Sequence, residues 1–185
     1  MRGTSLVTFG LMAVALVLGP NPLSAEYLPV QGSDQDQVAK PDKADRLEAI
    51  ARDLLSDGDI GTWEQAAELL EKSGRLRTVA SLERIEDLRM AACLFTWTGA
   101  KEHARDLFQD AADEAWQRGD LALAAHTYLD AAVLSAELKM GRHAIQATRM
   151  ADQLAASPEM ARADREAVTY RLEHLGLPMH LGEIM

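Results

Sequence analysis

The chain has 185 residues with 19 Lys and Arg against 29 Asp and Glu, a formal net charge of −10. That acidity excludes nucleic acid and anionic membrane surfaces as electrostatic partners and leaves neutral or basic ones. Cys93 is the only cysteine, so no internal disulfide can form and stability has to come from packing.

The first segment, 1–25, has the layout of a secretory signal peptide. Arg2 precedes an apolar run from Leu6 to Leu18, the helix breakers Gly19, Pro20 and Pro22 follow, and the small residues Ser24 and Ala25 precede the expected cleavage site. The run is shorter than the roughly 20 residues that a membrane-crossing helix needs, so no stable membrane anchor is expected after cleavage. No Cys follows the run, which removes lipid attachment at a new N-terminal thiol. The expected destination is periplasmic or secreted.

Residues 26–41 contain Pro29, Gly32, Ser33 and polar residues with no apolar period, the composition of a mobile linker. Pro41 and Asp42 then open a helix to about Leu55, with Leu47, Ile50, Ala51 and Leu54 on one side. The loop SDGDIG ends it, and Thr62 with Gln65 predicts a capping box for a helix reaching about Lys72. After Gly74 and a basic connector, a helix is expected from Thr78 or Ser81 to Thr98. Leu82, Ile85, Leu88, Ala92 and Phe95 form one stripe on it, and Met90, Leu94 and Trp97 a second, which predicts contacts on two sides. Further helices are expected at about 100–118, 120–139, 142–156 and 159–175. Gly99, Gly119 and Gly141 mark the turns between these, while Ser157 and Pro158 are suited to cap the last. No segment shows strand alternation with turn chemistry, so the expected fold class is all-α, with a helical domain over 42–176 and a tail over 177–185.

A spacing recurs along these helices. Gly99, Ala104, Phe108 and Ala111 are matched by Gly119, Ala124, Tyr128 and Ala131, and more weakly by Gly61, Ala66, Leu70 and Ser73. The last three members of each set are four and then three residues apart, so they share one face of a helix that starts just after the Gly. Helices with such narrow stripes bury them by stacking on sequence neighbours. In the window from Ile85 to Arg118, the residues Leu88, Ala92, Phe95, Gly99, Ala104, Phe108 and Ala111 follow the order large, small, aromatic, Gly, Ala, aromatic, Ala. This window resembles the tetratricopeptide repeat family, and the resemblance implies stacked antiparallel helix pairs in a right-handed superhelix with a concave peptide-binding groove. Taken two helices apart, Gly61, Gly99 and Gly141 lie 38 and then 42 residues apart, more than the family's period of about 34. The Pro that ends a family repeat is missing after Arg118. Longer helices or a related helical array account for both departures.

Motifs for chemistry are sparse. The segment Asp53 to Glu64 aligns with a twelve-residue calcium loop at Asp53, Asp57, Gly58, Ile60 and Glu64, with Asp59 inside it, but Leu55 stands where a ligand oxygen belongs. An ordinary Asp-Gly-Asp turn is the expected reading, and a calcium-responsive helical module is the alternative. His103, His126, His143, His174 and His180 have no metal-ligand spacing, and no nucleophile elbow, phosphate loop or HExxH occurs. No cofactor or enzymatic activity is therefore expected, and an accessory subunit or cryptic enzyme using Cys93 or a His is the remaining rival. Cys93 itself reads as a small buried hydrophobe.

The helix around Arg89 carries the surface of most interest. Glu86, Arg89, Met90, Cys93, Thr96 and Trp97 lie on a stripe offset from the Ile85, Leu88, Ala92 and Phe95 face. If this helix is the first of a repeat, the resemblance puts the groove-lining positions on these residues. Aromatic and Arg side chains dominate interface energies, which singles out Trp97 and Arg89. The competing reading has Met90 and Trp97 packed on a neighbouring helix. The sequence thus predicts an exported, non-enzymatic scaffold that binds a protein or peptide.

Overall fold

A computed structural model describes residues 42–177; the expected signal peptide, the linker and all but the first residue of the C-terminal tail lie outside them. Among the described residues there are seven α-helices and no strand: α1 (Lys43–Ser56), α2 (Trp63–Leu76), α3 (Leu82–Thr98), α4 (Lys101–Arg118), α5 (Leu121–Glu137), α6 (Gly141–Ala155) and α7 (Arg162–His174), with a short 3₁₀ turn at Ile60–Thr62. Each helix packs on the next in chain order, and α7 also touches α5. The connections between α3, α4, α5 and α6 are two or three residues long, so each reverses the chain and neighbours run antiparallel. No helix among the described residues is long and apolar enough to cross a membrane.

Local chemistry explains most boundaries. The carboxylate of Asp42 accepts from the Asp45 N–H at 2.8 Å and caps α1. Ser81 does the same for α3 through the Arg84 N–H, and Asp120 for α5 through the Leu123 N–H. Two expected caps do not form. The Thr62 hydroxyl turns away from α2 and donates to the carbonyls of Leu54 and Asp59, tying the loop to the end of α1. Ser157 accepts from Glu159 inside a turn, and α7 begins only after Ala161, which supplies no side-chain cap. Gly74 does not end α2. The helix runs on to Leu76, and a Cβ at Gly74 would come within 3.2 Å of the Leu88 side chain, so the missing side chain lets α2 and α3 approach.

The repeat extends further than the glycines show. Backbone with positive φ occurs at Gly58 and Gly176 and, in each case two residues before an α-helix, at Ala80 (58°), Gly99 (94°), Gly119 (85°) and Lys139 (57°). Gly141, expected in the turn, is instead the first residue of α6. Counting 5, 9 and 12 residues from the last three of these positions gives the buried sets Ala104, Phe108, Ala111 and Ala124, Tyr128, Ala131, and also Ala144, Thr148, Ala151; from Ala80 it gives Ile85, the half-buried Arg89, and Ala92. The unit is one helix with its connector, recurring at 19, 20 and 20 residues from Ala80 to Lys139. At six of the nine positions counted from Gly99, Gly119 and Lys139, Ala allows close helix approach, while a fully buried large side chain such as Leu107 or Tyr128 contributes roughly 1.5–3 kcal/mol by leaving water.

The two buried faces of α3 differ from expectation. Ile85, Leu88, Ala92 and Phe95 are buried as read from the sequence, but the second buried face is Arg84, Asp87, Ala91 and Leu94. Arg84 and Asp87 are acceptable there because both are paired. Arg84 Nε lies 2.7 Å from the Glu114 carboxylate of α4, and Arg77 Nε lies 2.8 Å from Asp87. The Ser73 hydroxyl sits 2.8 Å from Asp87 and 2.9 Å from the Ala44 carbonyl, joining α1, α2 and α3.

Candidate functional site

The expected stripe on α3 faces solvent. Glu86 and Cys93 are exposed, Met90 is 41 % and Trp97 76 % exposed, while Arg89 and Thr96 are half-buried. Met90 and Trp97 therefore do not form a packed second stripe; Leu94 alone of that trio is buried. Thr96 spends its hydroxyl on the Ala92 carbonyl of its own helix at 2.8 Å and offers little to a ligand.

Trp97 at the end of α3 meets Trp63 at the start of α2, ring centroids 6.4 Å apart and planes 86° apart. The antiparallel packing of α2 and α3 brings these ends together. An edge-to-face contact favours one placement of the ring by about 0.5–1.5 kcal/mol while leaving most of it in water.

Arg89 stands nine residues after Ala80, the position where the repeat elsewhere puts Phe108, Tyr128 and Thr148. Arg89 is half-buried there, and its Nε is buried without a hydrogen-bond partner. The guanidinium is close enough to Cys93 and to His126 of α5 to act on both electrostatically.

Cys93 is exposed, contrary to the expectation of a buried hydrophobe, because it shares the face of Glu86 and Met90 rather than that of Leu88 and Phe95. Its sulfur nevertheless has a poorly solvated environment. Desolvation pushes the thiol pKa up, the negative charge of Asp130 adds to that, and Arg89 opposes both. The thiol is held protonated at neutral pH, an environment opposite to that of an activated nucleophile.

Beside it, α5 and α7 are joined by a polar cluster that sequence spacing does not reveal. Arg171 of α7 donates to Asp130 at 2.8 Å, to the His126 carbonyl at 3.3 Å and to His126 Nδ1 at 3.2 Å. Because Arg only donates, Nδ1 must be the acceptor and the ring proton sits on Nε2. Desolvation, then the charge of Arg171, lowers the His126 pKa and keeps the imidazole neutral.

The remaining histidines are separate. His103 lies 2.7 Å from Glu71 and edge-on to Phe95, His174 stacks on Tyr170, and His180 is outside the described residues. His143 sits in the first turn of α6.

The acidic loop is built as a turn. α1 continues through Leu55 to Ser56, so Asp53 is helical, and the Asp59 carboxylate accepts from the Gly61 N–H at 2.9 Å. Asp53, Asp57, Asp59 and Glu64 do not converge: among the described residues no group of three or more His, Cys, Asp or Glu is placed to hold a metal ion.

Surface clefts of about 340, 410 and 520 Å³ lie along α6, between the α4–α5 turn and the start of α7, and between α1 and α2. None includes the α3 stripe, which is an open surface suited to an extended partner more than to an enclosed small molecule. No protein-family model, curated protein or solved structure matches the chain.

Proposed function

We propose that the chain is an exported, non-enzymatic scaffold whose stacked helices, arranged as a tetratricopeptide-like solenoid, bind a protein or peptide across the exposed face of α3. One observation carries this reading: Trp97 is 76 % exposed yet rests edge-to-face on Trp63. An exposed indole with only two side-chain torsions and a ring already leaning on a neighbour loses little side-chain entropy on binding and buries a large area, the properties of an interface anchor. Met90 and Arg89, both about two turns back on α3, extend the same surface. The apolar run at the N-terminus supports export, and the acidic charge favours a neutral or basic partner.

The test is recovery of partners from the exported fraction of the producing cells with the tagged full chain. The proposal expects a partner retained by the unaltered protein and lost by both Trp97→Ala and Arg89→Ala, with helical circular dichroism unchanged. Capture that ignores both substitutions would refute the α3 face as the binding surface.

A further inference from the structure

The geometry points to a recognition site for a cationic side chain, with an arginine of the partner lodged in the corner between Trp63 and Trp97. This rests on the reading that α3 is a binding face, and it adds the chemistry of the group bound there. The two indoles stand 86° apart with centroids separated by 6.4 Å, and Trp97 keeps three-quarters of its surface in water. A planar guanidinium can stack on one indole while its edge meets the other, held by the negative face of the ring.

The surrounding charge selects the same sign. From Asp53 to Glu71 the chain carries six carboxylates and no Lys, Arg or His, and Trp63 sits within that stretch; Glu68 and Glu71 are paired with Lys72, Arg75 and His103, which leaves Asp53, Asp57, Asp59 and Glu64 without a cationic partner among the described residues. Glu64 directly follows Trp63 in the first turn of α2, and Asp57 precedes it in the loop. Neither carboxylate has a hydrogen-bond or ion-pair partner among the described residues. Asp59 spends one oxygen on the Gly61 N–H and keeps its charge. Arg89, about two turns back on α3, is the one opposing charge on this face without an ion-pair partner among the described residues, while the basic residues that follow Trp97 are engaged, Lys101 with Glu137 at 2.7 Å and His103 with Glu71 at 2.7 Å. The N-terminus of α2 contributes partial positive charge, which Glu64 in its first turn offsets. The corner therefore presents two indoles on a stretch of chain in which Asp53, Asp57, Asp59 and Glu64 keep unpaired negative charge, a combination that favours a cation over an anion.

The experiment titrates the full chain with a short peptide of alternating Gly and Arg, and with the same peptide carrying citrulline at each Arg. Citrulline preserves the planar shape and removes the charge. The readout is the indole N–H resonance of Trp97, assigned by its loss in Trp97→Phe. The Arg peptide is expected to move that resonance and to bind at least about fivefold more tightly than the citrulline peptide, the difference shrinking as salt rises. Trp97→Ala removes binding, Trp97→Phe retains most of it, Glu64→Gln weakens it, and Trp116→Phe leaves it unchanged. Equal binding of both peptides, no movement at Trp97, or full Arg-peptide binding by Trp97→Ala would each overturn the inference. If the Arg peptide fails while an exported partner still depends on Trp97, the cationic site falls and the binding face stands.

Discussion

The carboxylate of Glu114 holds two groups at once: it lies 2.7 Å from Arg84 Nε and accepts from the Ala80 N–H at 3.0 Å. Ala80 has φ 58°, a conformation that disfavours an L side chain, and it is the left-handed residue that precedes α3. Arg84 is buried and donates also to the carbonyls of Gly74 and Arg77. One acidic residue on α4 thus fixes the connector that aims α3, the helix bearing Arg89 and Trp97.

Removing that carboxylate should be severe. Glu114→Ala leaves the buried Arg84 charge uncompensated and the Ala80 N–H unbonded, and we expect a loss of about 3–5 kcal/mol. Urea unfolding measures it. Glu114→Gln, which keeps an acceptor, should cost less, and equal stability of the unaltered protein and Glu114→Ala would contradict the pairing.

Lys139 gives the opposite test. Its φ of 57° matches the role of Gly119, since Met140 N–H bonds back to Ser135 and Asp120 N–H back to Ala115 in the same six-residue closure. Relief of roughly 1–2 kcal/mol of left-handed strain exceeds the added unfolded-state freedom of Gly, so Lys139→Gly should stabilise by about 0.5–1 kcal/mol. Thermal unfolding should show a higher midpoint, and Gly119→Ala a lower one.

The small residues of the stack predict a further asymmetry. Ala104 is fully buried at a repeat position, so Ala104→Leu should overpack the interface and cost about 1–3 kcal/mol. The same enlargement at the exposed Ala167 of α7 should be nearly neutral. Unchanged denaturant midpoints for Ala104→Leu would remove Ala104 from the helix interface.

Protonation of His126 should weaken the fold in acid. Its folded pKa is lowered, first by desolvation and then by Arg171, so below about pH 6.5 the unfolded chain takes up a proton that the folded ring refuses. Stability is therefore full above that pH and falls as the pH drops from it toward the folded value. His126→Gln, which keeps an acceptor for Arg171, should lose less stability than the unaltered protein between pH 7 and 5. Equal losses would place the ring in water.

Residue types told the helices from the sequence wherever the signal was local. Ser81 and Gly99 bracket α3, and the Ala and aromatic spacing after Gly99 and Gly119 marks buried faces of α4 and α5. The repeat before α3 and α6 was hidden because Ala80 and Lys139 hold left-handed backbone without being Gly, the first through Glu114 34 residues away and the second through helix closure. Thr62 and Ser157 are good caps by type, but their hydroxyls have tertiary or turn partners instead. At the candidate site, the exposed α3 stripe was readable from helical spacing. Trp63, His126, Asp130 and Arg171 were not, because their relationships to α3 and to each other are set by how helices stack, and no fixed spacing encodes that.

The central claim, that the α3 face is a binding surface, is tested most directly by placing a photoactivatable amino acid at Met90 in the producing cells, with Asp106 on α4 as the control position. Both residues are exposed, and Met90 lies between Arg89 and Cys93. The account predicts that irradiation yields a discrete cross-linked partner from Met90 that is absent from Asp106 and disappears in the Trp97→Ala background. No adduct at Met90, or the same adduct from both positions regardless of Trp97, would contradict it.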